Sequence, residues 1–223
     1  MVDRNAATFR ASPVAGVGLN KVLKNTYLLL SATLGFSAVT AMLSMAFAMP
    51  PSTYLFSVIG AMVLGMFVLP RLANSASGIG MIFLITGLLG FGLGSVLSMY
   101  LALPRGPEVI ATALGGTGAI FLGLSGYALA TRRDFSFLGG FLFAGFMVIL
   151  LAALANIFLA MPALSLAVSA GIILVMSGFI LFDTSRILNG GETNYIMATF
   201  GLYLSIFNIF ISLLNILGIT SDD

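Results

Sequence analysis

Long apolar runs alternate with short polar or proline-bearing breaks along almost the whole chain. A helix needs about 20 mostly apolar residues to cross a bilayer, and reading from break to break gives seven such stretches. The first runs from Thr26 to Met49 and stops at Pro50-Pro51. The second, Thr53 to Leu69, is the shortest and ends at Pro70-Arg71. The third, Ile79 to Leu103, precedes Pro104-Arg105-Gly106-Pro107-Glu108, and the fourth, Val109 to Thr131, is closed by Arg132-Arg133-Asp134. The fifth, Phe137 to Ala160, turns at Met161-Pro162 into the sixth, Ala163 to about Ser185. A polar linker from Arg186 to Glu192 leads to the seventh, Tyr195 to Gly218. Proline and glycine mark these connections because they break or cap helices.

The pattern predicts an all-α polytopic membrane protein with three parts. A flexible N-terminal tail is expected over 1–25, a seven-helix domain over 26–218 and a short C-terminal tail over 219–223. Ala46-Phe47-Ala48 resembles a signal-peptide cleavage site, but the preceding apolar run exceeds a signal's usual length and follows a polar leader, so the first span is expected to be retained. Composition agrees: 60% of residues are hydrophobic and 7% charged, against about 45–50% and 25% in soluble domains.

Charge adds orientation. Arg4, Arg10, Lys21, Lys24, Arg71, Arg132, Arg133 and Arg186 all fall on one side of the seven crossings, and only Arg105 falls on the other. Basic residues collect on the cytoplasmic side, so the N-terminus is expected inside and the C-terminus outside. The basic residues are thereby explained by topology, and nothing points to nucleic acid. With no Cys and no His, the chain carries no thiolate nucleophile, no Ser-His relay and no His/Cys metal site. An intramembrane aspartyl protease needs two buried aspartates where one qualifies, and the last Lys is Lys24, too early for a retinal-type Schiff base. No enzyme, cofactor or metal is expected.

Within the spans, small and weakly polar residues mark helix contacts, because lipid offers no hydrophobic drive to associate. Gly90 and Gly94 form a GxxxG pair, Gly87 and Gly94 lie a heptad apart, and Gly171 and Gly178 repeat that spacing. All are read as packing seams. Two polar stripes stand out as well. Thr33, Ser37, Thr40 and Ser44 share one face of the first span; Ser205, Asn208, Ser212 and Asn215 share one face of the seventh. Such a face must look into the bundle or a wet cavity. Interhelical hydrogen bonding and the wall of a polar path both account for the second stripe.

Asp183 is the charge that the loops do not explain, lying about one turn inside the expected cytoplasmic end of the sixth span. It reads either as a carboxylate snorkelling to water beside Arg186, three residues on, or as a titratable group at a cytoplasmic vestibule paired with the seventh helix.

The motifs around it resemble a known family. Phe182-Asp183-Thr184-Ser185-Arg186-Ile187, Gly191-Glu192-Thr193-Asn194-Tyr195 and Leu202-Tyr203 with Asn208 resemble the closing third of the Bax inhibitor family of seven-span proteins. Asp134-Phe135-Ser136-Phe137-Leu138-Gly139-Gly140 is similar to the start of that family's fifth helix, and Lys21 to Tyr27 is similar to its bacterial YccA branch. The resemblance implies a central seventh helix with the other six around it. It also implies one of two activities: restraint of the membrane-anchored ATP-dependent protease FtsH, or a pH-sensitive calcium leak held closed by an aspartate pair. Asp183 occupies the first aspartate's place, but Ser205 stands at the second and Asn215 where an arginine is expected. A shared-proton pair needs two carboxylates, and calcium prefers six to eight oxygens. Protease modulation is therefore the expected function, with a cation or proton path through Asp183, Arg186, Ser205, Asn208, Ser212 and Asn215 as the alternative.

Overall fold

The computed structural model describes residues 13–221. Among these residues are seven helices long and apolar enough to cross a membrane. They are α1 Pro13–Ala46, α2 Ser52–Leu72, α3 Ser77–Leu101, α4 Gly106–Thr131, α5 Gly139–Leu159, α6 Pro162–Leu188 and α7 Tyr195–Ser221. No strand occurs among the described residues. Apart from the start of α1, each helix end falls within three residues of the sequence expectation.

Two differences have physical causes. The stretch 13–25, expected as part of a flexible tail, forms the first turns of α1; the rest of that tail, 1–12, lies outside the described residues, as do the last two residues of the C-terminal tail. Pro13 suits a first helical position, where an N–H has no partner to lose, and no further proline interrupts the run. The second difference is at Pro70, expected to stop the second span, which lies inside α2. A π-helical turn over Leu64–Val68 precedes it, and the Leu69 N–H bonds the Leu64 carbonyl five residues back. The widened turn makes room for a proline ring that would strike the carbonyl of an ordinary α-turn.

The seventh helix is the axis of the bundle. More than half of its most apolar stretch is buried, the largest share of any span, and it packs against α6, α4, α1 and α3. Leu202, Tyr203, Ile209 and Leu214 on it are almost wholly enclosed. Two of the other six helices lie farther out: α2 packs mainly on α3, and α5 on α6.

The glycine seams hold these contacts. A Cβ on Gly90 would overlap the Ser37 carbonyl and Thr40 Oγ1, and one on Gly94 would overlap the Ala41 carbonyl. Gly87 receives the Phe36 ring in the same way. Gly90 and Gly94 thus let α3 approach α1 at backbone distance, while Gly87 makes room for a ring of α1, which maximises dispersion contact where lipid supplies no other drive. On the other flank, Gly178 receives Leu142, and Gly171 faces Ile149, so that spacing marks the α5–α6 seam.

Candidate functional site

At mid-bundle three helices meet through one polar knot. Ser37 of α1 donates to the Thr86 carbonyl of α3 at 2.6 Å, and its oxygen lies 2.5 Å from the Tyr203 hydroxyl of α7. Tyr203 is within 3.3 Å of the same carbonyl. Thr86 needs no help from its own side chain there, since its hydroxyl bonds the Ile82 carbonyl one turn back. Ser37 was legible as part of the first-span stripe. The Thr86 carbonyl was not, because a backbone acceptor has no signature in sequence. One turn nearer the start of α7, the Thr199 hydroxyl reaches the Thr26 carbonyl at 3.2 Å and ties α7 to α1 again.

The stripe on α7 divides when its partners are examined. Ser205 and Ser212 are buried. Asn208 spends its amide on the Leu204 carbonyl of its own helix, at 2.8 Å. Asn215 donates to the hydroxyls of both Ser165 and Ser169 on α6, at 2.9 and 2.8 Å. Its role is therefore an α6–α7 clamp. The neighbouring apolar residues of α7 are as deeply enclosed as the serines.

Asp183 points at α7, not at the loop. A Cβ built on Gly201 would lie 2.7 Å from Asp183 Oδ2, so the carboxylate rests where only glycine leaves room. Ser205 follows Gly201 by one turn, about 6 Å of helical rise. The position that the resemblance pairs with Asp183 thus lies one turn beyond Gly201 and carries a hydroxyl. Arg186 turns away: its guanidinium donates to the Gly191 carbonyl at 3.0 Å, sits 3.7 Å from Glu192 and lies over the Phe182 ring. The snorkelling pair of Asp183 with Arg186 is not formed, because the bend after α6 offers Arg186 a carbonyl, a carboxylate and a ring face together. No cluster of three or more acidic, His or Cys side chains occurs among the described residues.

Two loop clamps on the Arg-rich side were not foreseen as sites. Asn194 donates to the Ala73 carbonyl and Asn74 Oδ1, while its own oxygen accepts from the N–H groups of Ile196 and Met197. It caps α7 and fastens it to the end of α2. Ser185 accepts from the Phe135 N–H and donates to the Arg133 carbonyl, fixing the α4–α5 connection onto α6. In that connection Asp134 accepts the Ser136 N–H at 2.8 Å, and its hydrogen bonds to Ser136 hold its carboxyl below the usual carboxylate range.

This architecture has close relatives. The chain is 52% identical over 204 residues to an uncharacterized membrane protein of Vibrio cholerae, covering 92% of each chain. Identity and coverage are the same for a protein of Escherichia coli K12 named modulator of FtsH protease YccA. Its counterpart in E. coli O6:H1 is named inner membrane protein YccA. The family described as inhibitor of apoptosis-promoting Bax1 matches over residues 19–222, and with its seven spans and central α7 the chain belongs to that family.

Proposed function

We propose that this protein is a non-enzymatic inner-membrane regulator of an FtsH-type protease, which it binds and restrains so that membrane proteins escape degradation. The observation that carries the reading is the 52% identity, over 92% of both chains, to the E. coli protein named as a modulator of that protease. Likeness of this extent covers the helices and the connecting loops alike. The bundle suits such a role, because its glycine seams, the Ser37–Thr86–Tyr203 knot and the two loop clamps make a rigid body able to present a fixed surface. In this reading the N-terminus faces the cytoplasm and the C-terminus the periplasm, following the distribution of Lys and Arg. The test is the half-life of an unstable membrane substrate in cells that overproduce the protein. A lengthened half-life that depends on FtsH supports the reading, and an unchanged one with no co-purifying protease refutes it.

One observation favours a second reading, a cation or proton path. Asp183 is a carboxylate inside a span, seated against Gly201 of the central helix, and such residues tend to mark ion pathways. Calcium is poorly served, since Ser205 offers a hydroxyl where a second carboxylate is required. Flux into proteoliposomes, compared between the native chain and Asp183→Asn, decides the matter. Background flux in both removes the path.

A further inference from the structure

The connection between α4 and α5 is too short to leave the membrane surface. The span of α4 ends at Thr131 and the next apolar span begins at Ser136. Arg132, Arg133, Asp134 and Phe135 lie between them and reach at most about 14 Å when extended. One turn before the end of α4, the exposed Tyr127 is a ring of the kind that gathers where hydrocarbon meets water. Phe137 and Phe141, both exposed, mark where hydrocarbon begins on the α5 side. Arg132 and Arg133 are therefore held at the depth of the lipid headgroups.

The connection is also fixed in place. The Arg132 N–H bonds the Ala128 carbonyl at 2.9 Å in a left-handed turn that ends α4. Ser185 of α6 takes the Phe135 N–H at 2.8 Å and donates to the Arg133 carbonyl at 3.1 Å. The Phe135 ring rests against Tyr127 with centroids 6.1 Å apart. Orientation across a bilayer needs charge alone, and a loose loop would supply it equally well. Backbone tied down on both sides of Arg133 goes further, because it lowers the cost of ordering the pair around a ligand.

What the pair lacks is a counter-ion. Ion pairs among the described residues join Arg105 to Glu108 and Arg186 to Glu192. Asp134, the carboxylate next in the chain, accepts the Ser136 N–H. Arg132 and Arg133 are both exposed, and neither guanidinium meets a carboxylate among the described residues. Each presents several N–H donors in a planar fork that matches a phosphate. Neighbouring Cα atoms lie about 3.8 Å apart, so both forks reach a single group. The anion abundant at that depth is the lipid phosphodiester. We propose that Arg132 and Arg133 bind the headgroup of one acidic phospholipid, its phosphate between the two guanidiniums, in the leaflet on the Arg-rich side.

The test uses full-length protein in nanodiscs of equal phosphatidylglycerol and phosphatidylcholine, with the retained lipids read by native mass spectrometry. The native chain should keep phosphatidylglycerol in preference by about tenfold. Arg132→Gln combined with Arg133→Gln should abolish most of that preference. Arg71→Gln removes a lone cation on the same side and should change it by less than about twofold. Arg132→Lys combined with Arg133→Lys keeps the charge that sets orientation, yet should lower the preference about threefold, because an ammonium lacks the planar fork. Equal retention of the two lipids by the native chain overturns the proposal and leaves the pair to an acidic protein partner. A preference unchanged in the double Gln variant, or lost equally in Arg71→Gln, overturns it too, since the attraction then belongs to the whole basic face. Native-like retention by the double Lys variant overturns the guanidinium–phosphate contact. Displacement of the lipid by millimolar inorganic phosphate would assign the pair to a free anion and overturn the lipid assignment.

Discussion

The fifth and seventh helices of this protein invert a rule learned from soluble proteins. Of the seven spans, α5 has the highest mean hydropathy, and only 6% of its most apolar stretch is buried; the corresponding figure for α7 is 56%. In water the most apolar helix goes inside. In a bilayer the medium is itself apolar, so hydropathy marks the surface, and the interior goes to residues that can pack closely or bond across helices. Hence α5 presents Phe141, Val148, Ile157 and Phe158 to lipid, while α7 carries Ser205, Ser212, Thr199 and Tyr203 into the centre.

The contrast can be broken at matched glycines. Gly90→Leu should destabilise the bundle by about 3 kcal/mol or more, because its side chain must displace the α1 backbone. Gly140→Leu on α5, where a Cβ meets nothing within 4 Å, should leave stability unchanged. Thermal unfolding in one detergent measures both, and equal losses would erase the distinction. Next in size, Asn215→Leu removes both bonds from α7 to Ser165 and Ser169 and should cost about 1–2 kcal/mol. Tyr203→Phe should cost less, about 0.5–1 kcal/mol, because Ser37 keeps the Thr86 carbonyl. Phe158→Ala on the lipid face of α5 should fall within about 0.5 kcal/mol of the native chain.

The smallest effect concerns pH at the connection leading into α5. The Asp134 carboxyl is held below its ordinary value by the Ser136 hydrogen bonds. A lowered carboxyl contributes stability above its unfolded value and loses it as pH falls through the lowered one. Protection of the Ser136 amide, its exchange relative to an unstructured amide at the same pH, should therefore fall only on strong acidification, and Asp134→Ala should lower it at every pH above that.

Much of this was legible in the sequence, for reasons that differ by feature. Spans and their ends follow from apolar length and from proline and glycine, which act locally. Pro70 misled because a π-turn absorbs a proline, and nothing nearby announces that turn. The GxxxG pair on α3 was legible because close approach admits few other residues. The α7 stripe was legible as polarity but not as role: Asn208 and Asn215 look alike along the chain, yet one bonds its own helix and the other clamps α6. Asp183 was singled out correctly as a charge within a span, whereas its seat on Gly201 and the turning of Arg186 toward Glu192 depend on contacts that spacing does not encode.

In the proposed function a seven-helix body engages a membrane protease from the cytoplasmic side of the bilayer. Site-specific photocrosslinking from Lys21, Arg71 and Arg105 tests partner and sidedness together. The account predicts FtsH adducts at Lys21 or Arg71 and none from its cytoplasmic domain at Arg105. Adducts to that domain at Arg105, or no FtsH adduct at any of the three, would contradict it.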